Sequence, residues 1–172
     1  MNYLNLPIGS GFPGVVNAII EVPGGQANKY EYDSDLHVFH LDRPLYGSVH
    51  YPGDYGFIPS TRSEDGDPLD ILILLQDPTF SGCLIEARPI GVLEIIDQGE
   101  PDEKILAVAE KSPTHASVRQ HTALEPHVLK EIEHFFTVYK QLEGKHTEVR
   151  GWSDVAHAHQ LIRLSHKRFQ PS

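Results

Sequence analysis

The chain has 172 residues, of which 40% are hydrophobic, and a formal net charge of −10 with histidine counted as neutral. This length fits about one folded domain with a sizeable core, so we expect a single domain over residues 1–172. The acidic charge argues against a nucleic-acid partner, because such binding depends mainly on lysine and arginine contacts with phosphate. No apolar run reaches membrane-spanning length, and residues 1–11 lack a signal-peptide pattern, so we expect no membrane partner. Together with the single cysteine, Cys83, these features predict a cytoplasmic location.

The first part of the chain, up to residue 110, consists of short apolar or alternating runs separated by turns rich in glycine and proline. Strands are predicted over residues 15–22, 29–33, 36–41, 71–75, 84–88, 90–96 and 104–109. Pro89 is expected to form a break or a bulge, and residues 97–103 an acidic loop. So many short strands in one stretch predict a small antiparallel barrel.

The sequence pattern becomes helical after Ser112. Apolar residues recur at helical spacing over residues 126–142, and Gly144 is the expected stop of this helix. Ser153 is the expected N-cap of a second helix. The change from strands to helices in a chain of this length predicts an α+β fold that is mainly β.

The stretch Asp65-Gly66-Asp67-Pro68-Leu69-Asp70 carries three carboxylates within six residues, directly before a buried strand. Pro68 restricts its own backbone and favours an extended conformation at Asp67. Unpaired carboxylates this close repel one another, and a hard divalent cation such as Mg²⁺ removes that penalty because it prefers oxygen ligands. The simpler interpretation is a solvated acidic turn, since aspartate, glycine and proline are common turn residues.

Two further sets of polar residues do not fit routine surface positions. The acidic set is Glu21, Glu31, Asp65, Asp67, Asp70, Asp97 and Asp102. The set able to bind phosphate is Lys29, Arg43, Tyr51, Tyr55, Lys104, Tyr139 and Lys140. If the sets converge, the site suits several divalent cations and a highly charged anion such as a diphosphate or polyphosphate. The tyrosines also have a simpler interpretation as packed aromatic side chains.

The acidic stretch, extended to Ile71, resembles in full the motif of the family I soluble inorganic pyrophosphatases. Other segments resemble their family counterparts in the same order, and the resemblance covers roughly residues 2 to 165. These segments are Lys29-Tyr30-Glu31, Asp42-Arg43, Tyr51-Pro52 with Tyr55-Gly56, Arg88 to Val92, Asp97 to Lys104, and His134-Phe135-Phe136 with Tyr139-Lys140.

This resemblance implies an OB-like five-stranded antiparallel barrel flanked by two C-terminal helices. It also implies Mg²⁺-dependent hydrolysis of pyrophosphate to two orthophosphates, by direct attack of a metal-bound hydroxide. Several Mg²⁺ ions would occupy each site, with Mn²⁺ or Zn²⁺ as substitutes. The short chain resembles the bacterial type, which implies a homohexamer.

The resemblance also implies a role for each site residue. The metal ligands fall on Asp65, Asp70 and Asp102, with Asp97 joining for further ions, and the general base falls on Asp67. Substrate-binding positions fall on Lys29, Arg43, Tyr55, Lys104, Tyr139 and Lys140. Supporting positions fall on Glu21, Glu31 and Tyr51. Ala109 departs from the proline that relatives often carry, away from the site.

Two other functions are compatible with parts of this pattern. One is a metal-dependent hydrolase of other phosphoanhydrides, such as nucleotides or short polyphosphates, although no segment that reads purine or ribose is evident. The other is a non-catalytic OB-like module that binds single-stranded nucleic acid in a basic groove with stacking aromatics. The net charge of −10 opposes the second function.

Overall fold

A computed structural model describes residues 1–169 of the chain, so the last three residues of the expected domain lie outside the described part. Its strands are β1 (Val16–Val22), β2 (Asn28–Asp33), β3 (Val38–Pro44), β4 (Asp54–Ile58), β5 (Leu69–Leu74), β6 (Leu84–Asp97), β7 (Glu100–Pro101), β8 (Lys104–Ala109) and β9 (Thr147–Ser153). Its helices are α1 (Pro126–Val138) and α2 (Val155–Arg168). Short 3-10 turns lie at Tyr3–Asn5, Pro113–His115, His121–Ala123 and Gln141–Glu143.

Five strands close into a ring in the order β1, β4, β5, β8, β6 and back to β1. This ring and the two helices confirm the predicted OB-like, mainly β fold. The antiparallel description needs one exception, because β5 and β8 pair in parallel. The reason is topological: β6 and β7 lie between β5 and β8 in the chain, so the chain returns to the same end of the barrel before β8 begins.

Strands β5 and β8 are apolar on both faces because each face meets a different core. Ile71 and Ile105 belong to a cluster that includes Ala158 and Ile162 of α2. Leu72 and Leu106 belong to a second cluster that includes Ile132, Phe135 and Phe136 of α1. Continuous apolar runs are therefore required here, rather than the alternation of a half-exposed strand.

The main differences from the predicted strands have local causes. Residues 84–97 form one strand through Pro89, and the expected bulge appears as a register shift between Pro89 and Gly91 against β8. Strand β4 was not predicted, because its glycine and proline neighbours indicate a loop. Gly56 lies so close to β1 that a Cβ atom there would be 1.9 Å from the Ile19 carbonyl oxygen, and only glycine allows this pairing. Strand β9 was also missed.

The helix ends differ from prediction by a few residues. Helix α1 ends at Val138, and the chain continues through the turn Gln141–Glu143 to Gly144, whose φ of 74° confirms it as the stop. The N-cap of α2 is Asp154, not Ser153, because the Asp154 carboxylate accepts a hydrogen bond from the His157 amide at 3.0 Å. Within residues 1–169, neither helix combines the length and the apolar character needed to cross a bilayer.

Candidate active site

One cavity of about 620 Å³ opens at the end of the barrel where β5 and β8 begin. It collects side chains from β1, from the hairpin of β2 and β3, from the acidic stretch, from the loop before β8 and from the end of α1. Most of the predicted site residues line it: Glu21, Lys29, Glu31, Tyr55, Asp65, Asp67, Asp70, Asp97, Asp102, Lys104, Tyr139 and Lys140. Of the predicted set, Arg43 and Tyr51 are not part of its lining.

The acidic stretch is a turn that presents its carboxylates to this cavity. The Asp67 amide donates to Asp65 Oδ1 at 3.0 Å, and the Ser63 amide donates to the Asp67 carbonyl at 2.7 Å. Gly66 has a φ of 98°, which L side chains rarely adopt. Burial raises the pKa of Asp67, and the charges of Asp65 and Asp70 raise it further. The stretch is therefore a turn, as the simpler interpretation predicts, and it lines the cavity; its role as a metal site stays a prediction.

Lys104 is the buried cation at the centre of the carboxylates. Its side chain is 5% exposed, and its ammonium contacts Asp70 and, at 2.8 Å, Asp102 Oδ1. Burial opposes the charge on Lys104, but Asp70, Tyr55 and Asp102 outweigh it and hold the pKa well above its ordinary value. The pairing of β5 with β8 creates this contact between residues far apart in sequence.

Lys140 and Asp97 form a second ion pair in the cavity. The Lys140 ammonium lies 2.5 Å from Asp97 Oδ2 and 5.2 Å from the centre of the Tyr139 ring. Asp97 Oδ1 is buried and has no hydrogen-bond partner among the described residues. A buried carboxylate oxygen without a partner is costly, so a cation placed beside it would be stabilised.

The hairpin of β2 and β3 contributes basic side chains already paired with acids. Lys29 contacts Glu31 and lies 3.5 Å from Asp42 Oδ2. Arg43, directly opposite Lys29 in the hairpin, contacts Asp42, and its Nε lies 2.7 Å from Oε1 of Glu143. Sequence reasoning missed Glu143, although its place three residues after Lys140 was a usable clue. Lys29 and Glu31 both line the cavity, so this face of β2 is part of the candidate site.

Glu21 and Tyr51, the residues predicted to support the site, differ in exposure, since Glu21 is partly exposed and Tyr51 is buried. Oε1 of Glu21 accepts a hydrogen bond from the Tyr32 amide at 2.9 Å, and burial raises the pKa of Glu21 to about 8. Tyr51 is 2% exposed, and its ring centre lies 4.7 Å from that of Phe135. Tyr51 is therefore a packed aromatic residue behind the cavity, as the simpler interpretation predicts.

The donor set of the cavity fits Mg²⁺. Its acidic side chains offer only carboxylate oxygens, and Asp97 Oδ1 lacks a partner in the described chain. Asp65, Asp70 and Asp102 are not among the described residues whose possible ligand atoms all lie within 4.8 Å of one another, so they form an open arrangement. Mg²⁺ usually binds through one or two carboxylates with waters and substrate phosphates, so an open arrangement suits it.

Comparisons with known proteins agree with this geometry. The family model described as inorganic pyrophosphatase matches residues 18–170. An inorganic pyrophosphatase of Nostoc sp. is 53% identical over 158 residues, which are 92% of this chain and 94% of that protein. One of Synechocystis sp. is 55% identical over 142 residues, covering 83% and 84% of the two chains. The crystal structure of inorganic pyrophosphatase from Thermus thermophilus superposes with a TM-score of 0.95 at 43% identity, covering 98% of each chain.

Proposed function

The chain belongs to the inorganic pyrophosphatase family, and on that premise we propose that it hydrolyses inorganic pyrophosphate to two orthophosphates with Mg²⁺ as cofactor. The observation that carries the proposal is the single cavity in which Asp65, Asp67, Asp70 and Asp102 meet Lys29, Lys104 and Lys140. A cavity lined by both carboxylates and lysines suits a cation and a phosphate that bind together.

The proposed Mg²⁺ ligands are Asp65, Asp70 and Asp102, with Asp97 for a further ion. Bound Mg²⁺ would lower the pKa of a water ligand and neutralise charge on the phosphates. Lys104 contacts both Asp70 and Asp102, so it holds them in place and limits their mutual repulsion.

Asp67 is the proposed general base. Its carboxylate has no ion pair with a lysine or arginine among residues 1–169, unlike that of Asp70. It lies in the turn that lines the cavity, and its backbone is fixed by the contacts to Ser63 and Asp65. Asp67 would take the proton of the attacking water while the bridging P–O bond breaks, and one orthophosphate leaves.

Phosphate binding falls to the basic and phenolic side chains of the cavity. Lys29, Lys104 and Lys140 each have a carboxylate partner that a phosphate oxygen can replace. Tyr55 and Tyr139 lie beside these lysines, and burial raises the pKa of Tyr55 well above its ordinary value, so its hydroxyl stays a neutral donor. Arg43 lies opposite Lys29 in the hairpin and outside the cavity lining. It would bind the substrate after release from Asp42 or Glu143.

The proposal includes a cytoplasmic homohexamer that has pyrophosphate, but neither membrane nor nucleic acid, as its partner. The free thiol of Cys83 suits a reducing compartment. The net charge of −10 disfavours nucleic acid.

The proposal is tested by phosphate release from pyrophosphate, ATP and tripolyphosphate, with Mg²⁺ and with excess chelator. We expect release from pyrophosphate with Mg²⁺, none in chelator, and recovery on adding Mg²⁺ back. Excess Ca²⁺ should inhibit, because it is larger and coordinates loosely. Full activity in chelator would contradict the metal assignment, and faster release from ATP or tripolyphosphate would favour the wider phosphoanhydride hydrolase.

A further inference from the structure

We propose that the chain carries a second metal site, formed by Glu94, Glu103 and His157, that takes a transition metal such as Zn²⁺. Glu103 follows Asp102 and borders the cavity proposed to hold Mg²⁺, whereas Glu94 and His157 are not part of the lining of that cavity. Among residues 1–169, these three form the group of possible ligands whose donor atoms all lie within 4.8 Å of one another. The catalytic proposal neither uses nor needs Glu94 or His157.

The barrel brings the two glutamates together. In the pairing of β6 with β8, Leu93 lies opposite Lys104, and both are buried. Glu94 follows Leu93, and Glu103 precedes Lys104. Because side chains alternate along a strand, Glu94 and Glu103 face away from Leu93 and Lys104. His157, in the first turn of α2, covers that face, and its Nε2 lies 3.3 Å from Glu94 Oε1. Three separate elements thus meet at one point.

The charges at this point are not balanced by the protein. Neither Glu94 nor Glu103 forms an ion pair with a lysine or arginine in the described chain, whereas Lys104, next to Glu103, pairs with Asp70 and Asp102. Two carboxylates held near each other repel, and the His157 imidazole is the one basic side chain of the described chain within ion-pair distance of Glu94. A divalent cation between the three side chains would remove this repulsion.

The ligands are also oriented before any metal binds. The Ser153 hydroxyl donates to Glu94 Oε1 at 2.7 Å, which fixes the carboxylate. The His157 amide donates to the Asp154 carboxylate, which fixes the backbone at the residue that carries the imidazole. Hydrogen bonds that orient ligands in this way commonly accompany protein metal sites. Ser153, expected from sequence to cap α2, is thereby free for this different contact.

The donor set selects the class of metal. Two carboxylates and one imidazole suit Zn²⁺ and its neighbours, whereas Mg²⁺ and Ca²⁺ prefer oxygen alone. The 3.3 Å between His157 Nε2 and Glu94 Oε1 matches two ligands of one tetrahedral ion, which lie roughly 3.4 Å apart when each is about 2.1 Å from the metal. The His157 and Glu94 side chains are 35% and 30% exposed, so an ion can enter and water can complete its coordination.

The site is tested by equilibrium dialysis of metal-free full-length protein against Zn²⁺, in a large excess of Mg²⁺ that occupies the catalytic carboxylates. The variants are His157→Gln, Glu94→Gln and Ser153→Ala. The matched control is His159→Gln, because His159 lies on the same helix but outside the cluster. Mg²⁺-supported turnover of His157→Gln and Ser153→Ala checks that these chains are folded.

We expect the wild-type chain and His159→Gln to bind one more Zn²⁺ per chain than His157→Gln. Zn²⁺ affinity should fall at least tenfold in His157→Gln and Glu94→Gln, and about tenfold in Ser153→Ala, whose hydroxyl only orients a ligand. Equal Zn²⁺ binding by wild type and His157→Gln would overturn the proposal. An absence of additional Zn²⁺ binding by the wild-type chain in excess Mg²⁺ would overturn it too.

Discussion

Asp67 and Asp70 are three positions apart, yet their side chains have different surroundings. Asp70 lies in β5 and contacts Lys104, whereas Asp67 lies in the preceding turn and forms no ion pair with a lysine or arginine among residues 1–169. This difference in surroundings fits the proposed roles, in which Asp70 holds metal and Asp67 accepts a proton.

The substitution Asp67→Asn keeps the size of the side chain and removes the proton acceptor. We expect turnover to fall by about 10²–10⁴, the usual contribution of a general base, with little change in Mg²⁺ affinity. Asp70→Asn, the matched variant, should instead weaken Mg²⁺ binding, and high Mg²⁺ should restore part of its activity. Mg²⁺ titration at saturating pyrophosphate separates them, and rescue of Asp67→Asn but not Asp70→Asn would mean that the roles are reversed.

Glu21 provides a prediction about stability and pH. Burial raises its pKa from 4.5 to about 8, so the folded chain prefers the protonated acid. Stability from this group is complete below pH 4.5 and declines as the pH rises toward about 8, because the folded state binds more protons than the unfolded state in that interval. Glu21→Gln, which stays neutral, should therefore be more stable than wild type at pH 8 and nearly equal to it at acidic pH.

The measurement for Glu21→Gln is urea unfolding in chelator at pH 5 and pH 8, at one protein concentration. The expected gain at pH 8 is on the order of 1 kcal/mol, since desolvation of a buried carboxylate costs at least that much. A gain of the same size at both pH values would show that ionisation of Glu21 is not its cause.

At the scale of the elements, the N-cap of α2 is Asp154, one residue after the predicted Ser153. Asp154 accepts from the His157 amide, while the Ser153 hydroxyl donates to Glu94. Asp154→Ala should lower the free energy of unfolding by about 1 kcal/mol, the usual cost of losing an N-cap. Ser153→Ala should lower it less, because only a half-exposed side-chain contact is lost. Urea unfolding of both variants tests this prediction. A larger loss of unfolding free energy in Ser153→Ala than in Asp154→Ala would contradict it.

At the scale of the whole molecule, several large apolar side chains are exposed to solvent. Leu36, Phe80 and Leu142 are 71%, 65% and 69% exposed. Single exposed apolar residues are common on monomers, so these three are candidate contact positions for the proposed assembly and do not by themselves establish it.

Light scattering coupled to size exclusion should give a mass about six times the 19.3 kDa of one chain at neutral pH. An interface built on apolar contacts should persist in high salt, because salt screens charges and does not weaken apolar burial. A mass of one chain at neutral pH would contradict the hexamer, and dissociation by salt alone would place charged groups at its centre.

The sequence by itself determined the features that depend on neighbouring residues. Apolar runs predicted most barrel strands, helical periodicity predicted α1, and the residue order around Asp65 to Asp70 predicted the acidic turn and the family. These follow from local propensity and side-chain period, which a short window of sequence contains. The roles assigned to individual site residues stay predictions, although the structure gathers most of them around one cavity.

Only the tertiary structure decided which distant residues meet. The parallel pairing of β5 with β8 puts Lys104 between Asp70 and Asp102, and the return of the chain after α1 puts Glu143 against Arg43. Burial made Tyr51 a packed aromatic residue, and the closure of β6, β8 and α2 joined Glu94 to His157. Such contacts depend on strand register and long-range closure, which are set by the burial of the whole core and by no local stretch of sequence.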